Sequence, residues 1–411
     1  MDVYWAALKA LNYSKVAAIC GKYTDLETAK TIKNLFNSIG SNTLSYEKSK
    51  YRHFDFRCTY LLNTAISELE NVSAVILINC DLRVENPLLN SRIRKNYLKY
   101  QIPIFSVGNA LTYSTYPIIN VGNSITSLLR FMKGKYYHFS KLIFNNFRSL
   151  SFTNSFIPYR PNPIVIFGSC LFDRMDATAI VAAVIDLTKT TSLFKSAKLL
   201  NLAPANLGFI SCAEEGFSAN INFNKKVANF IHHVGTEYIM PKNEQGFNVY
   251  QGYQLPENSN DLDLYLPVAT PFERVATYVN IEGRLRQTKI AVSAPQSVLT
   301  DDELLKLLFI TKNRKYKNNF SILPEFYNTM LFFKKVLNYI PKTNQRQLTP
   351  QVPYLINLVK TKHLLRFIGS TIFNKSSQNY YNSDLVSKSS KSMALFSSKI
   401  KFSTFSKKLP Y

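Results

Sequence analysis

The chain of 411 residues is short of negative charge, with 26 Asp and Glu against 50 Lys and Arg and a formal net charge of +24 at pH 7. A balance this basic points to an anionic partner, whether nucleic acid, membrane surface or acidic protein. It also has a duller source. Tyr (25) and Phe (29) are plentiful beside a single Trp, and the richness in Asn, Lys and Ile is what an A/T-biased genome would produce without any selection for binding. Long apolar runs are missing too. The best candidates, Ile164–Phe172 and Ala177–Leu187, are interrupted by Gly, Ser or Asp and fall short of the roughly 20 residues that span a bilayer. No direct membrane span is expected. Met1 to Trp5 offers no basic or Arg-rich amphipathic stretch, so neither a secretory signal nor a transit peptide is expected.

Grouped metal ligands are equally scarce. Cys20, Cys58, Cys80, Cys170 and Cys212 are separated by 38, 22, 90 and 42 positions, so none forms a C-x-x-C element. Iron–sulfur clusters need grouped thiolates, and none is expected in this chain; the thiols read as buried or incidental in a reducing compartment. The only histidine pair is His232-His233, whose side chains point in different directions, and no metal is assigned to it. Gly21-Lys22 and Gly134-Lys135 lack the earlier Gly and the following Ser/Thr of a phosphate loop, and no G-x-G-x-x-G follows a strand. A nucleophile elbow and H-E-x-x-H are absent as well. From these residues no catalytic, cofactor-binding or metal-binding position is assigned.

What is present is an α/β pattern, with 46% apolar residues to fill its cores. Val16–Cys20 reads as a buried strand, followed by a turn at Gly21. Thr24-Asp-Leu-Glu27 reads as a capping box, with Thr24 as the cap, opening a helix marked by Leu26, Ala29, Ile32 and Leu35 and stopped at Gly40. A helical stretch over 60–69, a strand over 74–79, a helix opened by Asn86-Pro87 and a strand over 103–107 follow. Strand and helix alternating in this way predict a doubly wound, mainly parallel sheet. This first α/β unit is placed at 1–132.

Residues 133–163 read as a basic, aromatic connector ending in three prolines. A second α/β unit is placed at 164–330: a strand at 164–167, a turn at Gly168-Ser169, a helix over 176–187, a strand at 247–250, and a hairpin turning at Glu282-Gly283. Residues 341–411 hold 12 Lys and Arg and one acid, Asp384. The 331–411 stretch reads as a basic, Ser/Asn-rich extension that orders on a partner or stays extended.

Two segments stand out. Arg83-Val-Glu85-Asn-Pro87-Leu-Leu-Asn90-Ser-Arg92-Ile-Arg94-Lys95 enters a helix at the carboxyl end of a strand, where open parallel sheets bind ligands. Arg92, Arg94 and Lys95 could meet phosphate there, although a solvated helix face with Glu85 favouring the helix dipole is the preferred reading. Leu266 to Lys289 reads as a hairpin whose Glu273, Glu282 and Arg284 pair locally.

Together these two segments resemble the C-terminal half of the large iron–sulfur (seventy-five-kilodalton, G-type) subunit of respiratory complex I, which is similar to molybdopterin-dependent oxidoreductases. The pattern R-x-E-x-P-L-x-N-x-R-I-R-K is met from Arg83 to Lys95. The pattern L-P-x-A-x-x-x-E-x-x-x-T-Y-V-N-x-E-G-R-x-Q-Q-T-K is met from Leu266 to Lys289, with Arg286 in place of one Gln and Val268 where Gly is usual. Ser41-Asn-Thr43-Leu44, Tyr60 to Thr64 and Val249 to Gly252 agree further. The likeness spans roughly three quarters of the chain, is loose over 190–245 and is not seen beyond about 330.

The resemblance implies two Rossmann-like units of the formate dehydrogenase and DMSO reductase type. It implies a separately encoded half-subunit of the NADH:ubiquinone oxidoreductase peripheral arm, packed on the cluster-bearing half that conducts electrons from NADH to quinone. The enzyme activity, H+-translocating NADH:ubiquinone reductase, would then belong to the complex. This chain would carry no cofactor and no redox centre, its molybdopterin pocket would be vestigial, and the iron–sulfur clusters would sit in the partner half. Its partners would be other complex I subunits, without nucleic acid. Its place would be the matrix side of the mitochondrial inner membrane, and A/T-biased composition makes a mitochondrial gene the expectation. The alternative is a basic nucleic-acid- or ribosome-associated protein, which predicts steeply salt-dependent binding.

Overall fold

The computed structural model describes residues 2–11, 15–47, 57–108, 114–132, 163–190, 200–219, 228–241, 246–315, 387 and 390–396, apart from 175, 205, 257–258 and 296–297. In chain order the elements are α1 (Asp2–Ala10), β1 (Val16–Cys20), α2 (Leu26–Ile39), β2 (Leu44–Tyr46), β3 (Ala74–Ile78), α3 (Leu82–Glu85), α4 (Pro87–Tyr100), β4 (Ile104–Val107), β5 (Ile119–Gly122) and α5 (Ile125–Met132). They continue with β6 (Pro163–Gly168), α6 (Ser169–Phe172), α7 (Ala177–Thr190), β7 (Leu200–Ala203), α8 (Leu207–Glu214), β8 (Ser218–Ala219) and β9 (Phe230–Val234). The last are β10 (Phe247–Gly252), β11 (Leu264–Pro267), β12 (Thr277–Val279), β13 (Leu285–Gln287) and α9 (Asp301–Lys315).

Parallel pairing dominates, as the alternating pattern predicts. One sheet runs β11-β10-β9-β1-β2-β8 and the other β5-β4-β3-β6-β7, every neighbouring pair parallel. Central strands covered on both faces read as continuous apolar runs; Val16–Cys20 and Ala74–Ile78 are buried at every position. Period-two alternation then divides each strand between two layers. Ile76 and Ile78 of β3 join Val16, Ala18 and Cys20 of β1 in one core cluster that links the two sheets. Val75 and Leu77 point the other way, onto Leu89 and Ile93 of α4. The antiparallel hairpin β12–β13 stands apart from both sheets and turns at Gly283, φ +77°.

The sheets do not coincide with the expected units 1–132 and 164–330. The chain lays down β1 and β2, leaves to build all of the second sheet, and returns with β8 to β11. The decisive pairing is β1 with β9, in register from Val16↔Phe230 to Cys20↔Val234. Local periodicity reports that a segment is a strand and carries nothing about a partner over two hundred residues away. The expected connector at 133–163, Pro163 excepted, and most of the 331–411 extension lie outside the described residues.

Other local expectations are corrected in detail. Asp25, not Thr24, caps α2, its carboxylate accepting from Thr28 N at 3.3 Å. Thr24 Oγ1 instead donates to Gly21 O, and Glu27 accepts from Thr277 N at 3.0 Å, tying α2 to the hairpin. The predicted helix over 60–69 reduces to a 3-10 turn at Ile66–Asn71. Gly168-Ser169 leads straight into the short helix α6. The stop at Gly40 holds: φ is +88°, and its N–H closes onto Asn37 O and Phe36 O.

Candidate functional site

An open parallel sheet binds ligands beyond the carboxyl ends of its strands, at the point where successive connections leave in opposite directions. In the first sheet that point lies between β1 and β9; in the second it lies between β3 and β6. In both places the backbones are in contact. A Cβ added to Gly21 would lie 1.9 Å from Gly235 O, and one added to Gly168 would lie 2.3 Å from Asn79 O. Only glycine fits either position, since atoms this close must move and the neighbour is backbone.

At the first switch point the loop after β9 turns through Gly235, φ +59°, and presents the next amides to β2's carboxyl end. Glu47 follows β2 directly, and its own N–H donates to Cys20 O at 2.8 Å. Its carboxylate accepts from Glu237 N at 3.0 and 2.9 Å and from Tyr238 N at 3.0 Å. Beside it the Lys22 ammonium pairs with the Glu237 carboxylate. The start of α8 closes the other side, where Gly208 N donates to Lys22 O at 2.8 Å.

The second switch point is filled in the same manner. Glu85 Oε2 accepts from Ser169 N at 2.7 Å and Ser169 Oγ at 2.8 Å, while Oε1 accepts from Asp81 N at 3.1 Å. Cys170 Sγ lies 3.6 Å from Oε1. Burial pushes the Glu85 carboxyl above its ordinary range, with the hydrogen bonds from Ser169 and Asp81 opposing. Burial also pushes up the Cys80 thiol, and the Glu85 charge adds to that.

A third polar cluster ties α9 to the hairpin. The buried Arg274 guanidinium pairs with Asp301, whose Oδ1 also accepts from Gln251 Nε2 at 2.7 Å. Burial raises the nearby Asp25 carboxyl to about 7, against the pull of Arg274. This is an interior brace, far from solvent: Arg274 is 3% exposed and Asp301 6%.

The residues singled out from the sequence take local roles. Arg92 and Lys95 both pair with Glu70, Lys95 Nζ at 2.7 Å from Oε2, and with Lys95 first and Arg92 second they hold the Glu70 carboxyl below its usual range. Arg94 is exposed on the same helix. Glu85 does not merely face the helix dipole; it reaches across to β6's end. Glu273 accepts from Thr270 N, and Glu282 pairs with Arg284 while accepting from Ile66 N at 2.6 Å. His232 and His233 lie in the sheet centre, where burial lowers both to about 3. Val268, in place of Gly, is buried at the end of β11. Among the described residues no group of three or more His, Cys, Asp or Glu is placed to hold a metal ion. Sequence reasoning missed Glu47, Ser169, Arg274 and Asp301. Of these only the Gly168-Ser169 turn gave a local signal.

Two doubly wound parallel sheets, each with a carboxylate of the chain at its switch point, define an α/β protein of Rossmann-like topology. The chain belongs to the molybdopterin oxidoreductase family, whose model matches residues 3–307. Among known proteins it is similar to the NADH-ubiquinone oxidoreductase 75 kDa subunit of Reclinomonas americana, 28% identical over 94% of this chain and 55% of the relative. It is similar also to the NADH-ubiquinone oxidoreductase 78 kDa subunits of Candida albicans (26% identical, 94% of this chain, 52% of the relative) and Neurospora crassa (26%, 92% and 49%). The chain thus spans about half the length of the curated relatives it matches. Coverage of 94% also carries the likeness into the region past residue 330, further than the two motif segments indicate.

The N–H groups of Glu237, Tyr238, Asp81 and Ser169, the kind of donor a phosphate takes at a switch point, donate here to Glu47 and Glu85. Cys20, Cys80 and Cys212 are buried, and Cys170 lies against Glu85.

Proposed function

We propose that the chain is the molybdopterin-oxidoreductase-like half of the large subunit in the peripheral arm of mitochondrial complex I, and that its role is structural. The observation that carries this reading is alignment over nearly the whole chain with half of the complex I 75 and 78 kDa subunits. The two closed switch points support a part without bound pterin. In this reading electrons pass through clusters held by the partner half, proton translocation belongs to the assembly, and this chain covers and braces the cluster-bearing half from the matrix side of the inner membrane. No helix among the described residues is long and apolar enough to cross a membrane. The basic surface then serves docking onto neighbouring subunits.

Native-gel separation of detergent-solubilised mitochondria, with the chain tracked by mass spectrometry beside an in-gel NADH dehydrogenase stain, tests the reading. The chain is expected in the stained high-mass band. Migration free of that band, or with ribosomal particles, overturns it.

A further inference from the structure

The amide groups after β9 are built as an anion site, and the anion is part of the chain. Two consecutive backbone N–H groups grip one carboxylate, that of Glu237 shared between both oxygens at 3.0 and 2.9 Å and that of Tyr238 at 3.0 Å, in the way a loop beyond a parallel strand grips a phosphate. The location is the switch point of the first sheet, where such a ligand belongs by topology. Glu47 reaches it from the end of β2, on the far side of β1 from β9, so its carboxylate crosses one strand to fill the place. It is 8% exposed. Lys22, a second anion-holding group at the same mouth, is turned onto Glu237.

We propose that Glu47 is a resident anion: its carboxylate occupies a phosphate-binding position and excludes phosphate- or pyrophosphate-bearing ligands from the first sheet's crevice. The position is latent, and opens to an external anion once the side chain is removed. The inference rests on the fold and family and is independent of the assembly in which the chain works. It has a chemical logic. Charge-assisted bonds from backbone N–H groups are the strong kind, and an internal carboxylate makes them without the entropy loss of capturing a free ligand. A bound phosphate would have to displace it and leave a nearly buried charge unpaired.

The test uses the full chain, its Glu47→Ala variant and its Glu47→Gln variant, titrated calorimetrically with pyrophosphate and followed by thermal unfolding in acetate. The unaltered chain, at +24, supplies the baseline for adventitious surface binding. Glu47→Ala is expected to bind pyrophosphate at least about tenfold tighter than that baseline, the equivalent of one hydrogen bond to a charged group. Acetate should raise its unfolding temperature and leave that of the unaltered chain unmoved. Glu47→Gln keeps the volume and one acceptor oxygen, so it should fold and show no gain. Equal binding by the unaltered chain overturns the proposal, as does a folded Glu47→Ala variant with no gain. If Glu47→Ala unfolds, refolding in acetate or pyrophosphate supports the resident-anion role, and failure of both to rescue it overturns that role.

Discussion

The two switch points reach the same end by different means. At the first, the carboxylate comes from a neighbouring strand and meets backbone N–H groups 190 and 191 positions away. At the second, Glu85 sits in the crossover leaving β3 itself, and meets a backbone N–H, a hydroxyl and a thiol 84 and 85 positions on. The first closure holds β2 to the loop after β9 and so spans the strand between them. The second staples two adjacent strands. Closing a crevice therefore demands no particular motif, only a carboxylate whose reach matches a loop's free amides.

Breaking the backbone contact beneath each closure should have the largest effect. Gly21→Ala places a methyl 1.9 Å from a carbonyl oxygen and Gly168→Ala one at 2.3 Å; each is expected to cost on the order of 3 kcal/mol or more, as overpacking against immovable backbone does. Gly40→Ala, at φ +88° with nothing within 4 Å, should cost less, about 1 kcal/mol for a positive φ. Urea denaturation midpoints rank the three, and a Gly21→Ala chain as stable as the unaltered one would mean that the first crevice is open.

The next effect separates Glu85 from its hydroxyl partner. Glu85→Ala leaves buried N–H groups of Asp81 and Ser169 without their acceptor, at about 1–3 kcal/mol for each orphaned group. Ser169→Ala removes one hydroxyl donor and keeps the N–H bond, an expected loss of about 1 kcal/mol. Equal losses from the two substitutions, read by chemical denaturation, would place the weight of this closure on the hydroxyl.

Titration sets groups that burial lowers against groups that burial raises, with a gentler effect. Burial depresses His232 and His233 to about 3, so the stability they confer is present above their ordinary value of 6.5 and is lost as pH falls through 3. Asp25, raised to about 7, works in the opposite sense: its contribution is present below 3.8 and lost as pH rises through 7. Glu85 shares that direction. Thermal unfolding across pH 4–8 should therefore show opposing slopes, and Asp25→Asn should leave the acid-side loss from the histidines while removing part of the alkaline-side loss. A profile unchanged by Asp25→Asn would show that Asp25 titrates at its ordinary value. The smallest effect belongs to Glu70→Gln. Its pairs with Arg92 and Lys95 are exposed, and exposed pairs contribute little, so the denaturation midpoint should not shift measurably.

Legibility in the sequence followed the range of the interactions. Val16–Cys20, Ala74–Ile78 and the Pro87 start of α4 were readable because a fully buried strand is an unbroken apolar run and proline at a first helical position has a local cause. The motif through Glu85 located a strand end, but Arg92 and Lys95 were drawn to Glu70, which lies on a separate turn. Glu47 carried no signal: a lone acid after a three-residue strand is unremarkable until β9 is folded beside it. The capping box failed by one residue because Thr24's hydroxyl had a nearer acceptor in Gly21 O.

The insertion of the second sheet into the first also sets an order of events during synthesis. The strands of the second sheet, from Ala74 to Ala203, leave the ribosome before β9 exists. Until residues 230–234 emerge, β1 has only the short β2 on one edge and its other edge is bare. An unpaired edge of five apolar residues is a template for the wrong neighbour. A nascent chain stalled between residues 203 and 230 would thus present a finished second sheet and an adhesive first one, and the earliest strand to be made would be among the last to be secured.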